Sequence, residues 1–182
     1  KKNTANIANK VIITFKKGEA LSLHNGKYAI TVANVRNGTN GKYAIIGRSM
    51  QPIETVAKDL EDLVGKGKVV ILDDRYLNGM KLHLDEYSFT PSKGEPIVFP
   101  AKDWSVSEAW NDMTINYSNL KTNGFITNIE DLQHIPMYRI NKLWIEKMES
   151  DGYTIIDIGN PLGNKMESLF YKLEIETVNW EK

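Results

Sequence analysis

The chain has 182 residues, of which 41% are hydrophobic and 25% charged, and its 23 basic residues equal its 23 acidic residues in number. Such proportions are typical of one globular domain with a real core, and zero net charge gives no long-range attraction for nucleic acid or anionic lipid. The absence of cysteine excludes disulfides, zinc–thiolate sites and cysteine nucleophiles, and no apolar run approaches the roughly 18 residues of a membrane-spanning helix.

Residues 1–41 are predicted to form a β-hairpin-rich N-terminal segment. The β-rich runs Val11–Phe15 and Tyr28–Val32 are separated by glycine and asparagine turn signals. The hexapeptide NGKYAI occurs at residues 25–30 and again at 40–45. Two copies are too few for a solenoid, so we interpret them as two similar turns, with a true repeat as the alternative.

Residues 42–182 are predicted to form an α/β domain that begins with a strand–helix–strand unit. The first strand is Tyr43–Ile46, and Pro52 suits the first turn of an amphipathic helix that ends at Gly65. The run KVVILDD, Lys68–Asp74, is the next buried strand. Such a βαβ unit has a right-handed crossover and implies two parallel strands.

The middle of the chain changes from irregular to helical. Residues 75–103 are rich in proline and glycine, which predicts an insertion or a lid over the sheet edge. Ser105 and Glu108 then fit a capping box, which predicts a helix that runs to Asn123-Gly124.

The stretch Tyr138–Gly159 predicts a helix followed by a strand that is buried on both faces. Ile140, Trp144 and Met148 recur at helical spacing, Gly152 ends the helix, and TIIDIG is an apolar run of strand length. The predicted fold is therefore α/β, with a mostly parallel, Rossmann-like sheet flanked by helices. A last helix is predicted to open at the capping pattern of residues 164–167.

Polar residues follow each of the three predicted parallel strands. Arg48 and Ser49 come after the first, Asp73 and Asp74 after the second, and Asp157 ends the third. The carboxyl ends of such strands share one crevice, so the three aspartates are candidate catalytic residues. Asp73 and Asp157 could hold a divalent metal such as Mg²⁺, and Arg48 a phosphate. In the alternative reading, Asp73 and Asp74 serve only turns, and Arg48 is their surface ion pair.

Further candidates for substrate binding lie near the C-terminus. A loop between a strand and a helix N-terminus suits an anion, although an ordinary connecting loop is the alternative. On the last helix, polar residues three apart share one side, which faces either the crevice or solvent. The candidates, together with Arg48 and Ser49, are Gly159, Asn160, Asn164, Ser168, Tyr171 and Glu174.

Four short segments between Lys42 and about Trp180 carry a resemblance to a known family. They are IIGRSM with the helix after it, Asn141-x-x-Trp144, GYTIIDIG, and Ser168-x-Phe170-Tyr171 with Glu174. They resemble a toxin domain found at the C-terminal ends of bacterial polymorphic toxins of the Rhs and contact-dependent-inhibition type. The resemblance implies an effector that is secreted or delivered from a bacterium, acts in the cytoplasm of a target cell without membrane insertion, and is neutralised by a cognate immunity protein.

These observations leave three functional hypotheses. The first is a nuclease that cleaves phosphodiester bonds of nucleic acid with a metal held by the aspartates. The second is a hydrolase of NAD or another nucleotide at the same crevice, which zero net charge favours because long nucleic acids usually select a basic surface. The third is a non-catalytic binding or structural domain.

Overall fold

The computed structural model describes residues 13–23, 28–92, 94–124, 128–166 and 168–180. The strands of this part are β1 Ala20–Leu23, β2 Tyr28–Thr31, β3 Asn34–Arg36, β4 Tyr43–Ile46, β5 Val69–Val70, β6 Leu82–Leu84, β7 Tyr87–Phe89, β8 Ile97–Phe99, β9 Lys102–Trp104 and β10 Thr154–Asp157. The α-helices are α1 Met50–Val64, α2 Asp74–Leu77, α3 Val106–Asp112, α4 Ser118–Thr122, α5 Pro136–Ser150 and α6 Leu169–Thr177, with a π-helical turn at Met113–Tyr117 and a 3₁₀ turn at Ile129–His134.

The fold is mixed α/β around a four-stranded sheet with the order β3-β10-β4-β5. β10 runs parallel to β4, with Asp157 opposite Ile46, and β4 runs parallel to β5. The prediction that these three strands are parallel neighbours is therefore confirmed. β3 pairs with β10 in the antiparallel direction, so the sheet is mixed and not wholly parallel.

Helices cover the sheet on both faces because alternate residues of each strand point in opposite directions. On one face, Tyr43 and Ile45 join the core cluster that contains α1. On the other face, Ala44 and Ile46 join the cluster that contains Trp144 of α5. All four residues of β4 and of β10 are buried, which explains why their sequences are almost continuously apolar.

The N-terminal segment contributes to this core. β2 lies within the predicted run Tyr28–Val32, but its antiparallel partner is β1 and not Val11–Phe15, whose described residues form no strand. Phe15 and Val32 belong to the α1 cluster. Because β3 lies in the central sheet, residues on both sides of position 41 build one sheet. The domain boundary at residue 41 stays a prediction. Val11 and the first NGK of the repeated hexapeptide lie outside the described residues.

Residues 75–103 are more regular than the sequence suggested. They contain α2 and two small antiparallel ladders, β6 with β9 and β7 with β8. Leu82, Leu84 and Trp104 belong to the same core cluster as α5. At least this part of the segment is packed against the domain.

Two helix predictions need correction. The last helix begins at Leu169 with Ser168 as its N-cap, so Ser168 is not mid-helix and Asn164 does not open the helix. The helix that Ser105 caps was predicted to run to Asn123-Gly124, but it is interrupted by the π-helical turn, and Trp110 on its first part is 52% exposed. Among the described helices, none is long and apolar enough to cross a membrane.

A candidate active-site cavity at the strand ends

A cavity of about 530 Å³ lies beyond the carboxyl ends of β4 and β5, between α3, α5 and α6. Its volume is within the range of small-molecule binding sites in proteins. The structure therefore brings together residues from the first two strand ends that the pattern singled out and polar residues at the start and along the length of α6. The sequence-predicted candidates that line the cavity are Arg48, Asp73, Asp74, Ser168, Tyr171 and Glu174.

Aromatic and apolar side chains form much of the cavity wall. Trp110 comes from α3, Trp144 from α5, and Phe170 and Tyr171 from α6. Ile45 of β4 also contributes to the lining. Flat apolar walls with a few convergent polar groups are typical of sites for small ligands that contain a planar ring.

Glu174 is the most unusual titratable group of the cavity. It lies on α6 and is only 8% exposed. Burial raises the pKa of Glu174 to about 8, against the opposing effect of a hydrogen bond with Asn141, and the charge of Asp157 raises it further. The side chain is consequently a neutral carboxylic acid at pH 7 that can donate a proton.

Asn141 and Trp144 are buried residues with polar side-chain atoms. They lie on α5, are 3% and 0% exposed, and both line the cavity. Within the described residues, the Asn141 Oδ1 and Trp144 Nε1 atoms have no hydrogen-bond partner. The sequence contains one sign of this role, which is an asparagine on an otherwise apolar face of the helix. Such a residue is informative because a buried polar group without a partner is rare in proteins.

Asp157 lies behind the cavity and is not among the described residues that line it. It is fully buried at the end of β10. Its Oδ2 atom accepts a hydrogen bond from Asn34 Nδ2 at 2.8 Å, and its Oδ1 atom accepts from the Gly159 backbone N at 2.7 Å and the Tyr171 hydroxyl at 2.9 Å. Asp157 therefore orients Tyr171, and burial beside this carboxylate raises the pKa of Tyr171.

Asp73 caps a helix at the rim of the cavity. Its Oδ1 atom accepts hydrogen bonds from the Arg75 backbone N at 2.8 Å and from Arg75 Nε at 2.9 Å, and its Oδ2 atom lies 2.8 Å from Arg75 Nη2. The Arg75 side chain lowers the pKa of Asp73. This ion pair involves Arg75, and not Arg48 as one reading of the sequence suggested.

Asp74 is also a rim carboxylate with a structural partner. Its Oδ1 atom accepts from the Val106 backbone N at 3.1 Å, and its Oδ2 atom accepts from the Ser107 backbone N at 2.9 Å. These N–H groups belong to the first turn of α3. Burial opposes the effect of these hydrogen bonds, and the net result is a lowered pKa for Asp74.

Arg48 and Ser49 continue β4 toward the cavity. Arg48 lines the cavity while its Nε atom donates to the Met166 carbonyl at 3.2 Å. Ser49 is not among the lining residues, and its Oγ atom accepts from Asn164 Nδ2 at 3.0 Å. Arg48 is thus the cation available to a ligand, whereas Ser49 fixes a neighbouring loop.

The loop of Gly159, Asn160 and Asn164 was predicted to bind an anion at a helix N-terminus. The helix begins only at Leu169, so this part of the prediction is wrong. Asn160 and Asn164 hydrogen-bond with each other twice, at 2.7 and 3.2 Å, and the loop is not among the described lining of the cavity. The predicted contact of these residues with substrate stays a prediction.

The candidate metal ligands do not fit a divalent metal well. Both oxygens of Asp73 are paired with Arg75, and both oxygens of Asp157 accept hydrogen bonds. Among the residues that the structure describes, no group of three or more histidine, aspartate or glutamate side chains could hold a metal ion. Mg²⁺ and Ca²⁺ need several oxygen ligands, which these already paired carboxylates do not offer.

No protein-family model, no curated protein and no solved structure matches this chain. The functional conclusion therefore depends on the geometry and chemistry of the cavity.

Proposed function

We propose that this chain is a hydrolase of NAD or another nucleotide, and that the substrate binds in the cavity between β4, α5 and α6. The observation that carries the proposal is the buried, neutral carboxyl group of Glu174 in an aromatic-lined cavity. Carboxylic acids with raised pKa values are common proton donors in enzymes, and strongly perturbed groups in clefts often mark active sites.

Glu174 would act as the proton carrier of the reaction. Hydrolysis breaks the bond to a leaving group and forms a bond to a water oxygen. In the protonated state Glu174 can give its proton to a leaving group that needs one, and the resulting carboxylate can take a proton from the attacking water. A pKa of about 8 is close enough to neutral pH for both forms to be reached during turnover.

Arg48 would hold the phosphate of the substrate. It lines the cavity at the end of β4, and a guanidinium group can bind two phosphate oxygens at once. Tyr171 would present its hydroxyl group to the substrate from an orientation set by the hydrogen bond to Asp157. These roles place a positive group and an acid in one site that has the size of a nucleotide pocket.

We extend the proposal to a bacterial polymorphic-toxin effector that is delivered into a target cell and neutralised there by an immunity protein. What supports this is that the segments that resemble such toxins contribute Arg48, Asn141, Trp144, Tyr171 and Glu174 to one cavity. The parallel strands β10, β4 and β5 with helices on both faces support a small Rossmann-like arrangement within the mixed sheet.

The structure gives less support than the sequence did to metal-assisted cleavage of nucleic acid. Asp73 and Asp74 line the cavity, but their oxygens already serve Arg75 and the first turn of α3. Long nucleic acids usually bind to a solvent-exposed basic groove, whereas Arg48 is the only basic residue among the described residues that line this cavity.

The purified chain should be incubated with NAD, ATP, GTP, RNA and DNA, each with and without EDTA, and the products separated by chromatography. We expect hydrolysis of NAD or a free nucleotide that persists in EDTA and is lost in Glu174→Gln. Expression in a bacterium should stop growth and deplete the same nucleotide while nucleic acids stay intact. EDTA-sensitive loss of RNA or DNA would support the nuclease hypothesis, and no change in any substrate would support a binding domain.

A further inference from the structure

Two residues that each have an unpaired polar atom line the α5 side of the cavity. Asn141 Oδ1 is a hydrogen-bond acceptor, Trp144 Nε1 is a donor, and neither has a partner within the described residues. The two residues are separated by one turn of α5, so they lie on the same face of the helix. Both side chains are more than nine-tenths buried and both line the cavity.

Buried polar atoms without a hydrogen-bond partner destabilise a folded protein. An apolar residue of similar shape would avoid this loss of stability. A ligand that satisfies both atoms recovers this free energy on binding, whereas a ligand that lacks one of the groups does not. The pair is therefore suited to discriminate between ligands.

We propose that Asn141 and Trp144 recognise one edge of a planar ring that carries a hydrogen-bond acceptor beside an N–H donor. The acceptor of the ligand would receive the Trp144 Nε1 hydrogen, and the N–H group of the ligand would donate to Asn141 Oδ1. This chemistry is shared by nucleobases such as adenine and by the carboxamide of nicotinamide. The inference rests on the proposed function and names the part of the substrate that the α5 side of the cavity recognises.

The surroundings of the pair fit a planar ring. Phe170 and Tyr171 line the same cavity, and aromatic side chains bind planar bases by stacking. The Asn141 amide also hydrogen-bonds with Glu174. One residue thus connects the recognised ring edge to the proposed proton carrier.

Binding of small rings to the full chain tests the inference, with titration calorimetry as the measurement. Two matched pairs of ligands should be compared. Nicotinamide and 3-acetylpyridine differ in the amide N–H donor but share the carbonyl acceptor, and adenine and purine differ in the amino donor. We expect one donor-bearing ligand, nicotinamide or adenine, to bind at least about 10-fold more tightly than its partner, which corresponds to one buried hydrogen bond. Which pair shows the difference identifies the source of the ring.

Variants assign the effect to the two residues. Trp144→Phe keeps a ring but removes the donor, and should weaken the preferred ligand about 10-fold. Asn141→Leu should abolish the preference within the matched pair. Trp180→Phe is the control, because Trp180 donates to the Ile175 carbonyl away from the cavity, and binding should be unchanged. If a variant does not fold by circular dichroism, the ligand pairs on the unaltered chain still decide.

The outcomes separate this inference from the proposed function. Equal binding within both pairs, no binding of any of the four ligands, or an unchanged preference in folded Trp144→Phe and Asn141→Leu would overturn the inference. Ring discrimination without hydrolysis of any nucleotide would support the inference and contradict the proposed function. Nucleotide hydrolysis without ring discrimination would support the proposed function and overturn the inference.

Discussion

The α5–α6 side and the rim of the cavity carry carboxyl groups with opposite properties. Glu174 is buried on α6, and burial raises its pKa to about 8. At the rim, Asp73 and Asp74 are half-buried and have lowered pKa values because N–H groups and the Arg75 guanidinium stabilise their charged forms. Chemically similar side chains a short distance apart therefore differ in protonation state at pH 7, and the difference comes from their surroundings.

This comparison also separates groups that are satisfied from groups that are not. The rim carboxylates of Asp73 and Asp74 accept hydrogen bonds from backbone N–H groups at helix N-termini, which is a structural role. Asn141 and Trp144 keep buried polar atoms without a partner among the described residues. A folded protein retains such atoms at a cost in stability, so we assign ligand recognition to this side of the cavity and helix capping to the rim.

Glu174→Gln should cause the largest effect, a fall in kcat of about 100-fold or more, because proton transfer by a positioned acid contributes about 10²–10⁴-fold. The measurement is the rate of nucleotide hydrolysis. Glu176→Gln is the matched control, since Glu176 is exposed on the same helix and should keep full activity. Full activity of folded Glu174→Gln would remove the proposed proton carrier.

The stability of the protein should fall as the pH rises from about 5 to 8, relative to Glu174→Gln. Because the pKa of Glu174 is raised in the folded state, the folded protein holds the proton more tightly than the unfolded chain does. This contribution is fully present below the unfolded pKa and is lost as the pH rises through about 8. Its size is on the order of 5 kcal/mol, at about 1.4 kcal/mol per pKa unit.

Urea unfolding at several pH values measures this contribution. The two proteins should differ in the slope of unfolding free energy against pH between pH 5 and 8 and run parallel above that range. Identical slopes throughout would mean that Glu174 is not buried as described.

Asp157→Ala and Tyr171→Phe should each lower kcat/KM by about 10-fold, since each removes one partner of the hydrogen bond that orients Tyr171. The double variant should be little worse than either single variant, because both changes remove the same interaction. A double-mutant cycle of kcat/KM measures this coupling. Additive losses would indicate that Asp157 acts on the substrate independently, as the sequence predicted.

Asp74→Ala should have the smallest effect, a loss of about 1 kcal/mol of stability with activity within 3-fold, because Asp74 accepts from the first N–H groups of α3. Thermal unfolding and hydrolysis rates give the two quantities. Asp74→Asn is the control, since its amide oxygen can still accept one of these hydrogen bonds. A large loss of activity at unchanged stability would restore the catalytic role that the sequence predicted for Asp74.

The sequence alone determined the main elements and their neighbours. The 3.6-residue spacing of apolar positions predicted α1 and α5, and the apolar runs predicted β4, β5 and β10 as parallel neighbours. The strand-end rule then located the cavity at Arg48 and Asp73. These features are readable because each depends on residues that are close together along the chain.

Only the tertiary structure decided what the polar residues do. Glu174 occupies an ordinary helix position, and its raised pKa follows from burial and from the nearby charge of Asp157 on β10. Asp157 is directed toward Tyr171 and Asn34, the latter 123 positions away in sequence. The state of a titratable or hydrogen-bonding group depends on desolvation and on partners in space, and these are fixed only when distant segments come together.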